Sequence, residues 1–452
     1  MRRTPLLACA LLAAAPISAR TWRVGGPGAD FPLIAPAVAA AAPGDVIEVS
    51  AGVYREDLVL SRTVALVGHG RPRLFGTGLG TVIDIQAPGC EVRGFDIEGS
   101  GEGQTNRMDA AFHVASNGNR IVDNRIERVF YGIVVEGASR NEIAENSITG
   151  LEERSFGRRG DGLYFYRSPG NLARDNRIAG MKDAIYVQYS PGCREIGNTV
   201  ERSRYGLHDM FSDGQELSGN VFRGCSVGAN IMNCRKVEIR GNRFVSNRGV
   251  ASAGLSFKEC DESRVEDNEF SDDGRAVQIE GASRNRFSGN RFLFNDTAIE
   301  LFASAEENVV TENAFDGNLT PVVISGGSSS TRWSEAGRGN WWSGYRGLDF
   351  EGRGVGREPQ PVASAFARIE GNNPAARLFL ASPAASALDF AASSVVPEDD
   401  GGVDRAPLVR RPGVGCRGRR PAGASALVAL ALAGMLLPRG GRVRPDRRRR
   451  SR

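Results

Sequence analysis

The chain has 452 residues, 57 of them Gly, with few aromatics and a formal net charge of +4. That charge is unevenly held: Arg439 to Arg452 carries +7 and the Arg2-Arg3 pair +2, which leaves the remainder at −5. A mildly acidic body argues against a nucleic-acid-binding surface, and frequent Gly between short β-branched runs argues against a bundle of long helices.

In chain order, Arg2 and Arg3, the apolar run Leu6 to Ala15 and the small Ala19 read as a secretory signal over residues 1–19. Cys9 follows the Arg pair too closely for the apolar core of a lipoprotein signal. Export places the body in an oxidising compartment, where cysteines can pair. The Ala-rich stretch Phe31 to Ala42 is expected to be helical and to cap the N-terminal edge of the strands beyond it.

The body of the chain is a repeat. Asn recurs at 124, 146, 176, 198, 220, 242, 268, 290 and 313, at intervals of 22, 30, 22, 22, 22, 26, 22 and 23 residues. Each unit reads as an apolar residue, two polar residues, Asn, a turn, then an alternating strand such as Tyr131 to Val135 or Tyr205 to Met210. The period marks a solenoid. Strands this short, punctuated by Gly and Asn, make it a β-solenoid. Asn suits left-handed turn geometry and can hydrogen-bond to its copies on neighbouring coils. The expectation is an all-β, right-handed parallel β-helix over residues 20–335. With Val46 to Val49 and Val82 to Ile85 as early strands, it has about twelve coils and is roughly 55 Å long. The eight extra residues near Leu151 to Arg159, with Glu152, Glu153, Arg154, Arg158 and Arg159, form either a binding loop on one face or a solvated excursion.

Aligning the strands puts Val134, Tyr164, Tyr186, His208, Asn230, Ser256, Gln278 and Glu300 in one column. Glu136, Tyr166, Gln188, Met210, Met232, Lys258 and Glu280 stand in another. Alternation points both outward. Met210 and Met232 then lie about 5 Å apart on adjacent coils, with His208 about 7 Å along the strand. Two thioethers and an imidazole on one face suit Cu(I) held in passing. Against this, Asp209 falls in the inward column, where an unpaired carboxylate is costly. A local twist would turn it out and pack His208 and Met210 inside as ordinary core. Met108 and His113 are the next place to look for copper ligands.

Cys234 and Cys260 share a column within disulfide reach, but Ser190 and Ser212 precede them, so a plain stack of small residues fits equally. Cys90, Cys193 and Cys225 have no partner by this alignment. Asp272-Asp273 is an acidic pair, with no complementary column of acids or bases on neighbouring coils.

Residues 336–412 form a post-solenoid extension. Within it Ala375 to Val396 is expected to be a docking element, with Leu378, Leu380, Leu388 and Phe390 as contacts and Pro383 preventing one uninterrupted helix. Residues 413–452 hold Gly415-Cys416, the apolar run Ala422 to Leu437 and the Arg cluster. This tail is either a membrane anchor with cytoplasmic arginines or a sorting signal.

Several segments together resemble the NosD family: Gly44 to Val49, Gly52 to Leu58, Gly157 to Gly162, Tyr205 to Ser212, Val227 to Met232, Gly339 to Trp342, Tyr345 to Gly347, Arg377 to Leu380, Leu388 to Phe390 and Ala406 to Leu408. The resemblance spans roughly residues 22–412, and the post-solenoid segments make it more specific than the coil repeat alone. It implies a periplasmic, non-enzymatic protein that supports copper delivery to nitrous-oxide reductase. The implied partners are an ABC transporter of ATPase and membrane subunits, the reductase and a copper-carrying lipoprotein, with copper as a transient cargo. Two features depart from the family pattern. The loop Asp349 to Gly356 looks like an acidic loop that has lost most of its carboxylates, which weakens a calcium reading. The apolar tail is an addition.

The rivals are a polysaccharide lyase or hydrolase, with Tyr164, Tyr166 and Tyr186 as sugar platforms and Asp272-Asp273 as acids, and a surface-anchored adhesin. Glycan cleavage needs opposed carboxylates, or a base in register with a cation. Neither rival needs the post-solenoid segment.

Overall fold

In the computed structural model the described residues are 19–103, 108–380, 382–392 and 402–412. The signal segment through residue 18, with Cys9, lies outside them, as do Cys416, the apolar run 422–437 and the Arg cluster. Among the described residues no helix is long and apolar enough to cross a membrane.

Three parallel sheets wrap one core, as expected of a right-handed parallel β-helix. Sheet 1 runs through thirteen strands from Thr21–Val24 to Val309–Thr311, and sheet 2 through thirteen from Val53–Arg55 to Trp341–Trp342. Sheet 3 has twelve, from Leu58–Leu60 to Thr320–Ser325. The stack is therefore a coil longer than the twelve expected. Thr21–Val24 lies N-terminal to the expected cap yet pairs with Val46–Val49, and Trp341–Trp342 pairs with Ala314–Asp316 beyond the expected end at residue 335. The helix Ile34–Ala40 buries Ile34 and Ala37.

Most strands of sheets 1 and 2 have three residues with only the middle one inward. That middle position stacks like on like. Phe222, Phe244, Phe270, Phe292, Phe315 and Trp342 form a continuous ring column, with centroids 4.2 to 5.2 Å apart.

The recurring Asn is a corner ladder between sheets 1 and 2. Asn198 Nδ2 donates to Asn220 Oδ1 at 3.0 Å, Asn220 to Asn242 at 3.0 Å, and the chain of contacts runs on to Asn340. The same oxygens take backbone N–H groups, as from Asn198 to Asn220 at 2.9 Å. Just before the ladder residue the backbone is left-handed, at Asp175 (φ 56°) and Gly219 (φ 66°) for example; this turns the corner and aims the amide inward. Asp404, from the extension, closes the ladder by accepting Asn340 N–H at 2.7 Å and Trp342 Nε1–H at 3.0 Å.

The extension folds over the last coil. Ala365–Asn372 is a helix packed on Thr320–Ser325. A 3-10 turn over Pro374–Phe379 and a helix over Pro383–Ala392 come next, so Pro383 starts a second helix. Leu378, Phe379 and Phe390 are 87%, 62% and 79% exposed.

Candidate functional site

The long strands of sheet 3 carry the candidate site. Their register pairs Tyr164 with Tyr186, Tyr186 with His208, His208 with Asn230, and Met210 with Met232, so both sequence columns are real. Asp209 between them is fully buried, while His208, Met210 and Met232 are part-exposed. The alternative in which Asp209 turns out and His208 packs inside is not realised. The cost falls on Asp209, whose two oxygens have no hydrogen-bond partner and whose pKa burial raises well above the usual range. Glu195 also points inward from sheet 1, and burial followed by the Glu216 charge pushes it up to about 8.

His208 is held on three sides. Nδ1 lies 2.9 Å from Asp183 Oδ2, the ring stacks on Tyr186 at 4.7 Å, and Tyr205 meets it edge-on at 4.9 Å. Among the described residues no protein group hydrogen-bonds Nε2. Met210 Sδ accepts Tyr186 Oη–H at 3.7 Å, and Met232 Sδ accepts Asn230 Nδ2–H at 3.3 Å. The sulfurs therefore sit on the polar outer face, unlike Met181, which is 1% exposed in the core. A bare imidazole nitrogen with two thioethers on adjacent coils is a donor set that fits Cu(I). A carboxylate on the other ring nitrogen is the usual outer support of a metal-binding His. No cluster of three His, Cys, Asp or Glu fit to hold a metal occurs among the described residues.

The sequence alignment missed the acids beneath this face. Asp161 and Asp183 stand on neighbouring coils, and Asp183 N–H donates to Asp161 Oδ1 at 3.2 Å. Asp183 is clamped by Arg204 through Nε at 2.9 Å and Nη2 at 2.7 Å, and Lys182 lies 3.9 Å from Asp161. Burial, then the Asp183 charge, pushes Asp161 up to about 7; burial also pushes Tyr131 and Tyr186 up to about 12. The available signal was Asp161-Gly162-Leu163 against Asp183-Ala184-Ile185, with both acids two residues before an inward apolar position.

The other candidates separate. Tyr164 and Tyr186 stack at 4.8 Å and 14°, and Tyr189 and Phe211 at 5.2 Å and 10°. Within each pair the rings cover one another's faces, and Tyr164 is only 8% exposed, which leaves little open ring face for a sugar platform. Asp272 is exposed and bound to Ser246 and Arg248, whereas Asp273 is buried in a second corner ladder against Asn247 at 2.9 Å. That pair cannot share one substrate. Cys234 and Cys260 are free thiols whose Sγ atoms donate to carbonyl oxygens, and Ser212 N–H donates to Cys234 Sγ at 3.4 Å, so the stack of small residues is the arrangement present. Cys90, Cys193 and Cys225 are free and buried. His113 lies 2.9 Å from Asp84 and 3.5 Å from Glu136, so both its nitrogens are taken. Arg159 closes the insertion on itself through the carbonyls of Arg154 and Glu152, each at 2.7 Å, and ties it to the neighbouring coil through Gly180 O at 3.1 Å. Asp349 accepts Gly354 N–H at 2.7 Å and Arg353 N–H at 3.1 Å, so its carboxylate is engaged by its own turn.

Among solved structures, the fold is similar to the Azotobacter vinelandii mannuronan C-5 epimerase AlgE6 A-module, at 10% identity and TM-score 0.52, covering 69% of this chain and 94% of that one. It is also similar to the alginate lyase AlyF-OU02, at 12% identity and TM-score 0.53, covering 74% and 86%, and to PfbA, a surface adhesin of Streptococcus pneumoniae, at 11% identity and TM-score 0.51, covering 64% and 87%. At such identities these share the fold only. A family model described as "Periplasmic copper-binding protein (NosD)" matches residues 147–347. The "Probable ABC transporter binding protein NosD" of Pseudomonas aeruginosa is 36% identical over 379 residues, 81% of this chain and 85% of that one. The protein of the same name from Stutzerimonas stutzeri is 33% identical over 80% and 84%. At 36% identity over 81% of its length, the chain belongs to the NosD family.

Proposed function

We propose that this chain is an exported, non-enzymatic accessory protein for the copper sites of nitrous-oxide reductase. It works in the periplasm with an ABC transporter of ATPase and membrane subunits, and with a copper-carrying lipoprotein as donor. Copper is its cargo, handled at His208, Met210 and Met232. The observation that carries this reading is the outward face of Tyr205–Met210 and Val227–Met232, where both sulfurs stand on adjacent coils beside a His208 Nε2 that has no hydrogen-bond partner among the described residues. It is supported by the family model's description as copper-binding and by the relatives' name as transporter-binding proteins. Of the expected docking residues Leu378, Leu388 and Phe390 are exposed and are the contacts offered to the transporter's membrane subunit, while Leu380 packs on the extension's own apolar cluster, and residues 413–452 serve as a membrane anchor or a sorting signal.

The test is Cu(I) competition binding under anaerobic, reducing conditions, comparing wild type with the double variant Met210→Leu plus Met232→Leu. Leu conserves volume, so the coils stay folded. The expected result is loss of one copper equivalent with an unchanged circular-dichroism spectrum. Equal uptake by both proteins refutes the site.

A further inference from the structure

The two nitrogens of His208 stand in different surroundings. Nδ1 faces Asp183 Oδ2 at 2.9 Å, on a side chain that is 1% exposed. Arg204 grips that carboxylate from the other side, reaching Oδ1 with Nε at 2.9 Å and both oxygens with Nη2 at 2.7 Å. Strand pairing of Asp183–Gln188 with Tyr205–Met210 fixes both backbones. The stack on Tyr186, 11° from parallel, and the edge contact of Tyr205 hold the ring plane. A half-turn of the ring would break the carboxylate bond.

A carboxylate gripped by a guanidinium only accepts, so Nδ1 must carry the proton, and a neutral ring then has its lone pair on Nε2. We propose that Asp183, fixed by Arg204, is the positioning residue that commits His208 to the Nδ1–H tautomer and so offers Nε2 to Cu(I) beside Met210 and Met232. This rests on the copper-handling reading of the same face. Asp183→Asn is the sharp perturbation because of Arg204. The guanidinium takes the single amide oxygen, the NH2 group faces Nδ1, and the imidazole proton is driven to Nε2, closing the coordinating atom. The same carboxylate support is worth ten- to a hundred-fold in metal affinity at metal-bound histidines generally, so a loss of about that size is expected.

The 452-residue chain has three histidines, His69, His113 and His208, so nitrogen-15 labelling of His gives an assignable spectrum, with His208→Gln identifying the third ring. At pH 8.5, metal-free wild type should show His208 protonated on Nδ1, and added Cu(I) should move Nε2 while Nδ1 keeps its proton. Asp183→Asn should invert the tautomer and weaken Cu(I) binding about ten- to a hundred-fold at unchanged stoichiometry, with Asp183→Glu recovering part of the loss. Should Asp183→Asn fail to fold, Arg204→Gln frees the carboxylate without removing it and should also weaken binding. A wild-type proton on Nε2, or Cu(I) affinity unchanged in the folded variant, overturns the proposal. A wild type that takes up no Cu(I) overturns the reading beneath it, and the metal-free tautomer still decides what Asp183 does.

Discussion

Replacing Asn220 by Ala tests whether the corner ladder holds the coils together. The Asn220 side chain makes four contacts: it donates to Glu195 O at 2.6 Å and Asn242 Oδ1 at 3.0 Å, and accepts Asn198 N–H at 2.9 Å and Nδ2–H at 3.0 Å. Two groups keep a partner in the variant, since Asn198 Nδ2 still reaches Ala173 O and Asn242 Oδ1 still takes Asn220 N–H. The Asn198 backbone N–H loses its partner in a fully buried corner, which costs about 1–3 kcal/mol, and the other three lost bonds add roughly 0.5–1.5 kcal/mol each, so about 2.5–7.5 kcal/mol in all. Asn117→Ala is the control, because its contacts to Ser139 N and Oγ, at 2.7 and 3.2 Å, are exposed; it should cost less than about 1 kcal/mol. Solenoids can unfold in parts, so urea melts should be paired with hydrogen exchange of the Asn198 and Asn220 amides. A difference between the two variants below about 1 kcal/mol, or uniform loss of protection along the stack, would refute the ladder argument.

Asp209→Asn should raise the melting temperature. The buried carboxyl has its pKa raised by burial, so it costs stability at every pH above its unfolded value. The gain should be larger at pH 7.5 than at pH 4, and an equal gain at both counts against the assignment. The Asp84 hydrogen bond, against the opposing effect of burial, raises the pKa of His113. Its contribution is therefore full below about pH 6.5 and lost as pH rises through the folded value, so His113→Gln should destabilise more at pH 5.5 than at pH 9 by calorimetry. Deleting residues 375–396 should leave the solenoid's circular dichroism intact and abolish co-purification with the transporter; retained co-purification rules out the docking role.

The 22-residue Asn period made the sheets and strand register legible, because a corner needing a left-handed residue before an inward amide tolerates few side chains. The outward placement of Met210 and Met232 came with that register. Two features did not. Thr21–Val24 joins sheet 1 across the intervening helix, and nothing in four residues signals such a pairing. Asp183 is the first residue of its strand and Asp161 lies two residues ahead of Leu163–Tyr166, where the pattern of alternation has no earlier strand residue to compare. Their partners Lys182 and Arg204 each come from the turn one coil further on, and only the folded corner shows each reaching back to the acid of the preceding coil. The state of Cys234 and Cys260 was undecidable from proximity alone, since neighbouring coils bring every column within disulfide reach.

The stack of coils also works as a ruler. Five inter-coil steps separate the strand Tyr205–Met210 from Thr320–Ser325, against which the terminal helix Ala365–Asn372 rests; at one strand spacing per step that is about 24 Å along the axis. With rings stacked through the core and amides linked along a corner, this length is set by the number of coils rather than by a hinge. A partner gripping the terminal helices and another meeting the His208 face would keep a fixed separation, and adding or removing one whole 22-residue unit between them would change it by a single step of about 4.8 Å.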